Sequence, residues 1–132
     1  MARPKHEHPT PGELEVLRIL WRKNPLSVRE VMEILNRARP RAYTSVMSLL
    51  GVMTEKGLLT RKSQGRAFVY APRAGRQKTM RRMLSDLLSR AFEDSASLLV
   101  AHLLEEANPT VEELSEIRRA IANYERQQED RP

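Results

Sequence analysis

Cysteine is absent from the 132 residues, so disulfide bonds and thiolate metal sites are excluded. Aromatic residues make up only 5%, and no apolar run approaches the roughly 18 residues that a membrane-spanning helix needs. The first residues, MARPKHEHPTPG, contain no apolar segment, so we expect no secretory signal peptide. Hydrophobic residues still reach 40%, enough for the core of one domain with an appendage. These features are typical of a cytoplasmic protein without membrane insertion.

Catalytic motifs are missing as well. The chain has no Gly-rich phosphate loop, no G-x-S-x-G elbow and no H-E-x-x-H sequence. His6 and His8 lack a third metal ligand nearby, and a lone His102 in an apolar segment is more typical of a packed or interface residue than of a ligand. The sequence therefore predicts neither an enzyme nor a metal or cofactor site.

Charge is distributed unevenly along the chain, although the total is a modest +6. Residues 1–92 contain 19 Lys and Arg against 7 Asp and Glu, whereas residues 93–132 contain 4 against 10. A basic front part is typical of a module that binds a polyanion, and the acidic remainder indicates a segment with another role. Charge alone does not separate DNA from RNA or from an anionic membrane.

Three short helices are predicted in the first half of the chain. Thr10 with Glu13 and Ser27 with Glu30 have the spacing of a capping box, in which side chains bond the backbone at a helix start. The third helix lies within RAYTSVMSLLGVMTEKGLLTR, residues 41–61, where apolar residues recur at helical spacing. Each helix therefore has one face suited to burial.

A β-hairpin is predicted directly after these helices, over the stretch LLTRKSQGRAFVYAP. Phe68 and Tyr70 alternate with smaller residues, a turn is expected at Gln64-Gly65, and Pro72 closes the run. Three helices followed by a hairpin are the arrangement of a winged helix-turn-helix. We therefore predict a mainly α fold with a small β-hairpin wing, with a C-terminal helical dimerisation region after the N-terminal winged helix.

The third predicted helix has a short, polar outer face, because Thr44, Ser48, Gly51 and Glu55 lie opposite its apolar stripe. Short side chains let a helix enter the major groove of DNA, where Ser and Thr bond base edges or phosphates. Gly51 costs about 1 kcal/mol relative to alanine inside a helix, so it indicates close approach of a partner or a tolerated surface glycine. Tyr43 is suited either to a DNA contact or to packing against the first helix. Ordinary solvation is the alternative for the whole face.

Basic residues flank this helix on both sides. Arg37, Arg39 and Arg41 precede it and are expected to reach phosphates. Lys62 and Arg66 flank the hairpin turn, where a wing tip would meet the DNA backbone or minor groove. Nothing in the sequence provides the exposed aromatic platform that readers of single strands need, so double-stranded DNA is favoured over RNA.

The remaining residues are predicted to form three helices, which are too few to bury a large hydrophobic core by themselves. A 3-4-3 spacing of apolar residues in the last helix is typical of a seam between helices, so we expect a homodimer. The predicted interface residues are Leu84, Leu87, Leu88, Leu99, Leu103, Leu114, Ile117, Ile121 and Tyr124. The predicted parts of the chain are a flexible basic arm over 1–9, a DNA-binding winged helix over 10–72, a three-helix dimerisation domain over 73–126 and a disordered tail over 127–132.

The segments ELEVLRILW, SVREVMEIL, AYTSVMSLLGVMTEKGLLTR and GRAFVYAP resemble the successive signatures of the BlaI/MecI penicillinase-repressor family. The later segments SLLVAHLLEE and EELSEIRRAI are similar to the dimerisation region of that family. The resemblance implies a cytoplasmic dimer that sits on a palindromic operator and blocks transcription, with the third helix in the major groove and the wing on the backbone. The contact residues that it implies are Tyr43, Thr44, Ser45, Met47, Ser48 and Arg66.

The resemblance also implies a way of relieving repression. In the β-lactam-responsive members, a membrane-bound metallopeptidase receptor relieves repression, with cleavage at an Asn-Phe pair in the fifth helix. Ala101-His102 stand at the matching position here, so the cleavage position departs from the family pattern. The related copper-responsive CopY repressors carry a cysteine-rich metal site, which a chain without cysteine excludes.

Two other functions remain open on the sequence. Winged helices also serve as protein-interaction adaptors, which would need an exposed apolar patch on the third helix, where Met47 is the candidate. A non-specific architectural DNA-binding protein would differ from a repressor only in its preference for one DNA sequence over others.

Overall fold

The computed structural model describes residues 8–131, so residues 1–7 of the predicted arm, including His6, and Pro132 of the predicted tail lie outside the described residues. The mainly α fold predicted from the sequence is confirmed, with six helices and three short strands in the described range. In chain order they are α1 (Pro11–Arg22), β1 (Leu26–Ser27), α2 (Val28–Leu35), α3 (Tyr43–Glu55), β2 (Leu59–Gln64), β3 (Ala67–Pro72), α4 (Arg76–Ala91), α5 (Ala96–Ala107) and α6 (Val111–Glu129).

The capping boxes predicted at the starts of α1 and α2 are confirmed. The Thr10 hydroxyl accepts a hydrogen bond from the Glu13 N–H at 3.2 Å, and the Glu13 carboxylate accepts one from the Thr10 N–H at 2.9 Å. Ser27 and Glu30 form the same reciprocal pair at the start of α2. Each bond satisfies a backbone donor that has no partner within its helix, which fixes where α1 and α2 begin.

The predicted wing hairpin belongs to a three-stranded antiparallel sheet in the order β1–β3–β2. Sequence reasoning missed β1, because two residues are too few to show an alternating pattern. The hairpin turn lies at Gly65-Arg66, one residue later than the predicted turn at Gln64-Gly65. Gly65 has a φ of +63°, a conformation that a residue without a Cβ adopts at little cost.

The hydrophobic core lies in the first of two compact units, the one that ends at Ser85. Its residues come from α1, α2, α3 and all three strands, so the third helix is fixed by one side only. The buried cluster consists of Val16, Leu17, Leu20, Leu26, Val28, Val31, Leu35, Val46, Leu50, Met53, Leu59 and Tyr70.

The second unit begins at Asp86 and contains the end of α4, all of α5 and all of α6. None of its described residues is buried. The division between the units falls inside the continuous helix α4, whereas the sequence predicts a boundary after residue 72. α6 continues to Glu129, so residues 127–129 are helical where the sequence predicts a disordered tail. No helix in the range 8–131 has the length and apolar character needed to cross a membrane.

Candidate nucleic-acid interface

Helix α3 separates a buried face from an exposed polar face. Val46, Leu50 and Met53 are buried in the core, whereas Thr44 and Ser48 are exposed. The burial of the apolar stripe holds the helix in place without using its hydroxyl groups. The two hydroxyls are therefore available to a partner outside the chain.

The N-terminus of α3 carries backbone donors that no side chain caps. Its N-cap residue is Ala42, which makes no side-chain capping bond. The first backbone bond of the helix runs from the Val46 N–H to the Ala42 carbonyl oxygen at 3.1 Å. The preceding N–H groups, including those of Tyr43 and Ser45, lie at the positive end of the helix dipole. Such an end attracts anions, including phosphate groups.

Apolar side chains also reach the surface of α3. Tyr43 is 44% exposed and Met47 is 46% exposed, and they lie one helical turn apart. Val52 is exposed as well, which sequence reasoning did not single out. An exposed methionine in a major groove can contact the methyl group of thymine. The same exposure is also the feature that a protein-interaction adaptor would need.

Arg41, for which the sequence predicts a phosphate contact, makes several contacts within the fold. Its guanidinium donates from Nη1 to the Leu35 carbonyl oxygen at 2.8 Å and from Nη2 to Glu15 Oε2 at 3.0 Å. The Arg41 side chain is only 14% exposed. These contacts with α1 and the end of α2 hold the guanidinium beside the start of α3, and the phosphate contact of Arg41 stays a prediction. Arg37 and Arg39 are exposed.

A buried ion pair fastens the other end of α3 to α1. Lys56, directly after α3, donates from Nζ to Glu13 Oε1 at 2.8 Å and Oε2 at 3.0 Å. Burial alone raises the pKa of Glu13, but hydrogen bonds from Lys56 and Thr10 outweigh it and hold that pKa below its ordinary value. Sequence reasoning assigned Glu13 to the helix cap alone, because a pair 43 residues apart leaves no local spacing signal.

The hairpin exposes basic side chains on both of its faces. Lys62 and Arg66 are exposed, and Arg66 lies within the turn. Arg61, which sequence reasoning missed, places its Cζ 4.2 Å from the centroid of the Phe68 ring. This cation–π contact fixes the direction of an exposed guanidinium. Because Arg61 and Lys62 are consecutive on β2, their side chains point to opposite faces.

The predicted dimer-interface residues keep much of their surface exposed in the single chain. Ile121 is 52% exposed and Tyr124 is 62% exposed, which are high values for large apolar side chains. The His102 and Phe92 rings lie 5.5 Å apart, a contact typical of aromatic packing. Exposed members of the predicted set are Leu84, Leu87, Leu103, Ile121 and Tyr124, and half-buried members are Leu88, Leu99, Leu114 and Ile117.

Comparison with known proteins finds similarity along almost the whole chain. Residues 9–123 match the family described as Penicillinase repressor. Transcriptional regulator BlaI of Mycobacterium tuberculosis is 37% identical over 126 residues, covering 92% of this chain and 89% of that protein. The penicillinase repressor of Bacillus licheniformis is 22% identical over 119 residues, covering 90% and 93%. A solution structure of monomeric Bacillus licheniformis BlaI in complex with the blaP half-operator has a TM-score of 0.47 at 25% identity, covering 55% of this chain and 88% of that one.

Proposed function

Because the chain belongs to the penicillinase repressor family, a family of transcriptional repressors, we propose that it represses transcription as a homodimer bound to a palindromic operator. The observation that carries this proposal is the exposed hydroxyl face of α3, opposite its buried stripe. A repressor acts on chromosomal DNA, so the proposal places the protein in the cytoplasm. It assigns no catalytic step to the chain.

In this proposal α3 lies in the major groove and reads the operator through its exposed side chains. Thr44 and Ser48 bond base edges, and Met47 contacts a thymine methyl group. Tyr43 and Ser45 lie at the uncapped start of the helix, where the backbone N–H groups and the helix dipole bind a phosphate. Base contacts give sequence preference, whereas phosphate contacts fix the position of the helix on the duplex.

The wing adds affinity that does not depend on sequence. Lys62 and Arg66 contact phosphates. Arg61, which is held beside Phe68, contacts the DNA backbone or the minor groove. Arg41 positions the start of α3 through its ion pair with Glu15, in addition to its predicted phosphate contact. Since several cations meet phosphates, the affinity should fall steeply as the salt concentration rises.

Dimerisation is proposed for the helical part that follows the winged helix. Its described residues bury no side chain completely, while Leu87, Leu103, Ile121 and Tyr124 expose apolar surface. Burial of such surface stabilises association by about 25 cal/mol per Å² of apolar area. A two-fold dimer would present two copies of α3 to successive major grooves, about 34 Å apart. A dimer bound in this way would exclude RNA polymerase from the promoter.

A membrane metallopeptidase is the proposed antirepressor, on the strength of the family relationship. Ala101 and His102 lie within α5, and both are exposed in the single chain. A gene for such a peptidase next to the gene for this protein would support the proposal. If the inducing signal still relieved repression in a strain that lacks this peptidase gene, the proposal would be contradicted, because the peptidase would then not be needed for release.

The test of function is a binding titration on the DNA directly upstream of this protein's own reading frame. A shuffled duplex of the same composition serves as the control, near physiological salt. Preference for the upstream DNA by about a hundredfold or more, with two chains per site, would support a specific dimeric repressor. Equal weak binding to both duplexes would favour a non-specific DNA-binding protein. Binding to neither would favour the adaptor, for which Tyr43 and Met47 supply exposed apolar surface.

A further inference from the structure

A cleft of about 390 Å³ opens in the first unit, between the end of α1 and the start of α4. Its volume is within the range of pockets that bind small molecules. The residues that matter to the argument are three arginines, Arg18, Arg22 and Arg76, and the apolar surfaces of Trp21 and Pro72. None of these residues contributes to the proposed reading of DNA by α3 or by the wing.

The charge in this cleft is not compensated within the described part of the chain. The cleft lining contains no Asp or Glu. The ion pairs found among residues 8–131 involve Arg41, Lys56 and Arg90, and none of the three cleft arginines is among them. Arg76 is also the first residue of α4, so the positive end of that helix dipole adds to the same potential. Several guanidinium groups around one cavity favour a carboxylate or a phosphate.

The rest of the lining favours an apolar group beside the anion. The Trp21 indole N–H donates to the Ala74 carbonyl oxygen at 3.0 Å, which uses the single polar atom of that side chain. The indole ring and Pro72 therefore offer apolar surface next to the arginines. A ligand with an acidic group and an apolar body would match both parts of the cleft.

The position of the cleft separates it from the proposed DNA-binding surface. Pro72 is the last residue of β3, while the wing turn precedes its first residue, Ala67. At about 3.4 Å per residue, the cleft end of the strand lies roughly 17 Å from the wing turn. A concave cavity of this size also suits a small molecule better than the convex backbone of a duplex.

We infer that this cleft binds a small organic acid, with its carboxylate or phosphate held by Arg18, Arg22 and Arg76 and its apolar part against Trp21 and Pro72. Binding there joins α1 to the residues through which the chain enters α4, so it should raise the thermal stability of the protein. The inference does not depend on the proposed repressor function, since ligand binding can be measured without DNA.

Trp21 makes the cleft directly observable, because it is the single tryptophan in the chain. The full chain is titrated near physiological salt with phenyl phosphate and, separately, with benzoate, and the tryptophan emission is followed. A saturable change with phenyl phosphate alone assigns a phosphate site, and one with benzoate alone assigns a carboxylate site. The acid that gives the saturable change should bind at least about tenfold more tightly than the neutral benzyl alcohol, a difference of about 1.4 kcal/mol. Inorganic phosphate should bind more weakly than phenyl phosphate, because it cannot use the apolar wall.

Variants connect the signal to the arginines. Arg22→Gln and Arg76→Gln should each weaken binding by about tenfold, which corresponds to about 1.4 kcal/mol. Arg119→Gln, which removes the same charge from the exposed surface of α6, should leave binding unchanged. Circular dichroism on each variant shows whether it remains folded. Two cleft variants are used so that the test still stands if one of them does not fold.

Several results would overturn the inference. One is the absence of a saturable change with both acids, and another is equal binding of benzyl alcohol. Equal weakening by Arg119→Gln would show a general charge effect rather than a site. Displacement of the bound acid by a short duplex of unrelated sequence would show that the cleft is a DNA contact instead.

Discussion

Replacing Gly51 by alanine separates the requirements of folding from those of DNA binding at one position of α3. A Cβ added to Gly51 would meet no atom within 4 Å, and the residue lies inside the helix with ordinary backbone angles. Alanine is favoured over glycine in a helix interior by about 1 kcal/mol. Gly51→Ala should therefore stabilise the protein by about that amount, which raises Tm by about 4–8 °C for a unit of this size.

The same methyl group should weaken operator binding. Gly51 lies on the face of α3 that carries Ser48, three residues earlier, and Thr44, seven residues earlier. If this face lies against the major groove, the added methyl group occupies space next to the duplex. Overpacking of a close interface costs about 1–3 kcal/mol, so operator affinity should fall by about tenfold, or 1.4 kcal/mol.

Thermal unfolding and an operator titration on the same preparation test both halves of this prediction. Gly12→Ala is the matched control, because Gly12 lies in the first turn of α1 and its added Cβ also meets no atom within 4 Å. It should leave operator affinity unchanged. Full operator affinity in a stabilised Gly51→Ala variant would refute close approach of this face to DNA. A fall in stability would refute the argument that the position is open.

The remaining predictions concern specificity, the buried ion pair and the dimer. Ser48→Ala should reduce the preference for operator over shuffled DNA, whereas Lys62→Ala should weaken binding to both duplexes equally; a change of preference with Lys62→Ala would contradict the wing assignment. Lys56→Met should destabilise the protein by about 3 kcal/mol at pH 7, because it leaves the buried Glu13 carboxylate unpaired. The lowered pKa of Glu13 means that the pair stabilises the wild type above the ordinary glutamate pKa and that this contribution is lost as pH falls through the lowered value. Urea unfolding at several pH values should therefore show wild type and variant converging in acid, and a constant difference would argue against the pair. Ile121→Glu should give a monomer by light scattering and lower operator affinity, and an intact dimer would remove Ile121 from the interface.

Features that depend on neighbouring residues in the chain could be predicted from the sequence. The caps at Thr10 and Ser27 follow from a spacing of three residues, and the buried stripe of α3 follows from the helical period. Both are local rules, so they do not require knowledge of the rest of the fold. This is why the helices and the wing hairpin could be located before the structure was known.

Features that depend on distant parts of the chain could not be predicted in this way. Arg41 belongs to a row of three similar arginines, yet it forms an ion pair with Glu15, and that pairing becomes visible only when α1 and the segment before α3 are placed together. The stacking of Arg61 on Phe68 depends on the register of the hairpin, which a turn shifted by one residue changes. Charge and hydropathy identify a candidate surface, whereas the fold decides which cations remain available on it.

The two ion pairs from α1 to the residues that flank α3 have a consequence for how this protein could acquire new targets. Glu15 with Arg41 and Glu13 with Lys56 hold both ends of α3 against α1. The exposed side chains of α3 are therefore not needed to hold the helix in place. Exchanging them should alter which operator is recognised while leaving the fold intact, so this scaffold is well suited to divergence among duplicated genes and to the grafting of other recognition residues.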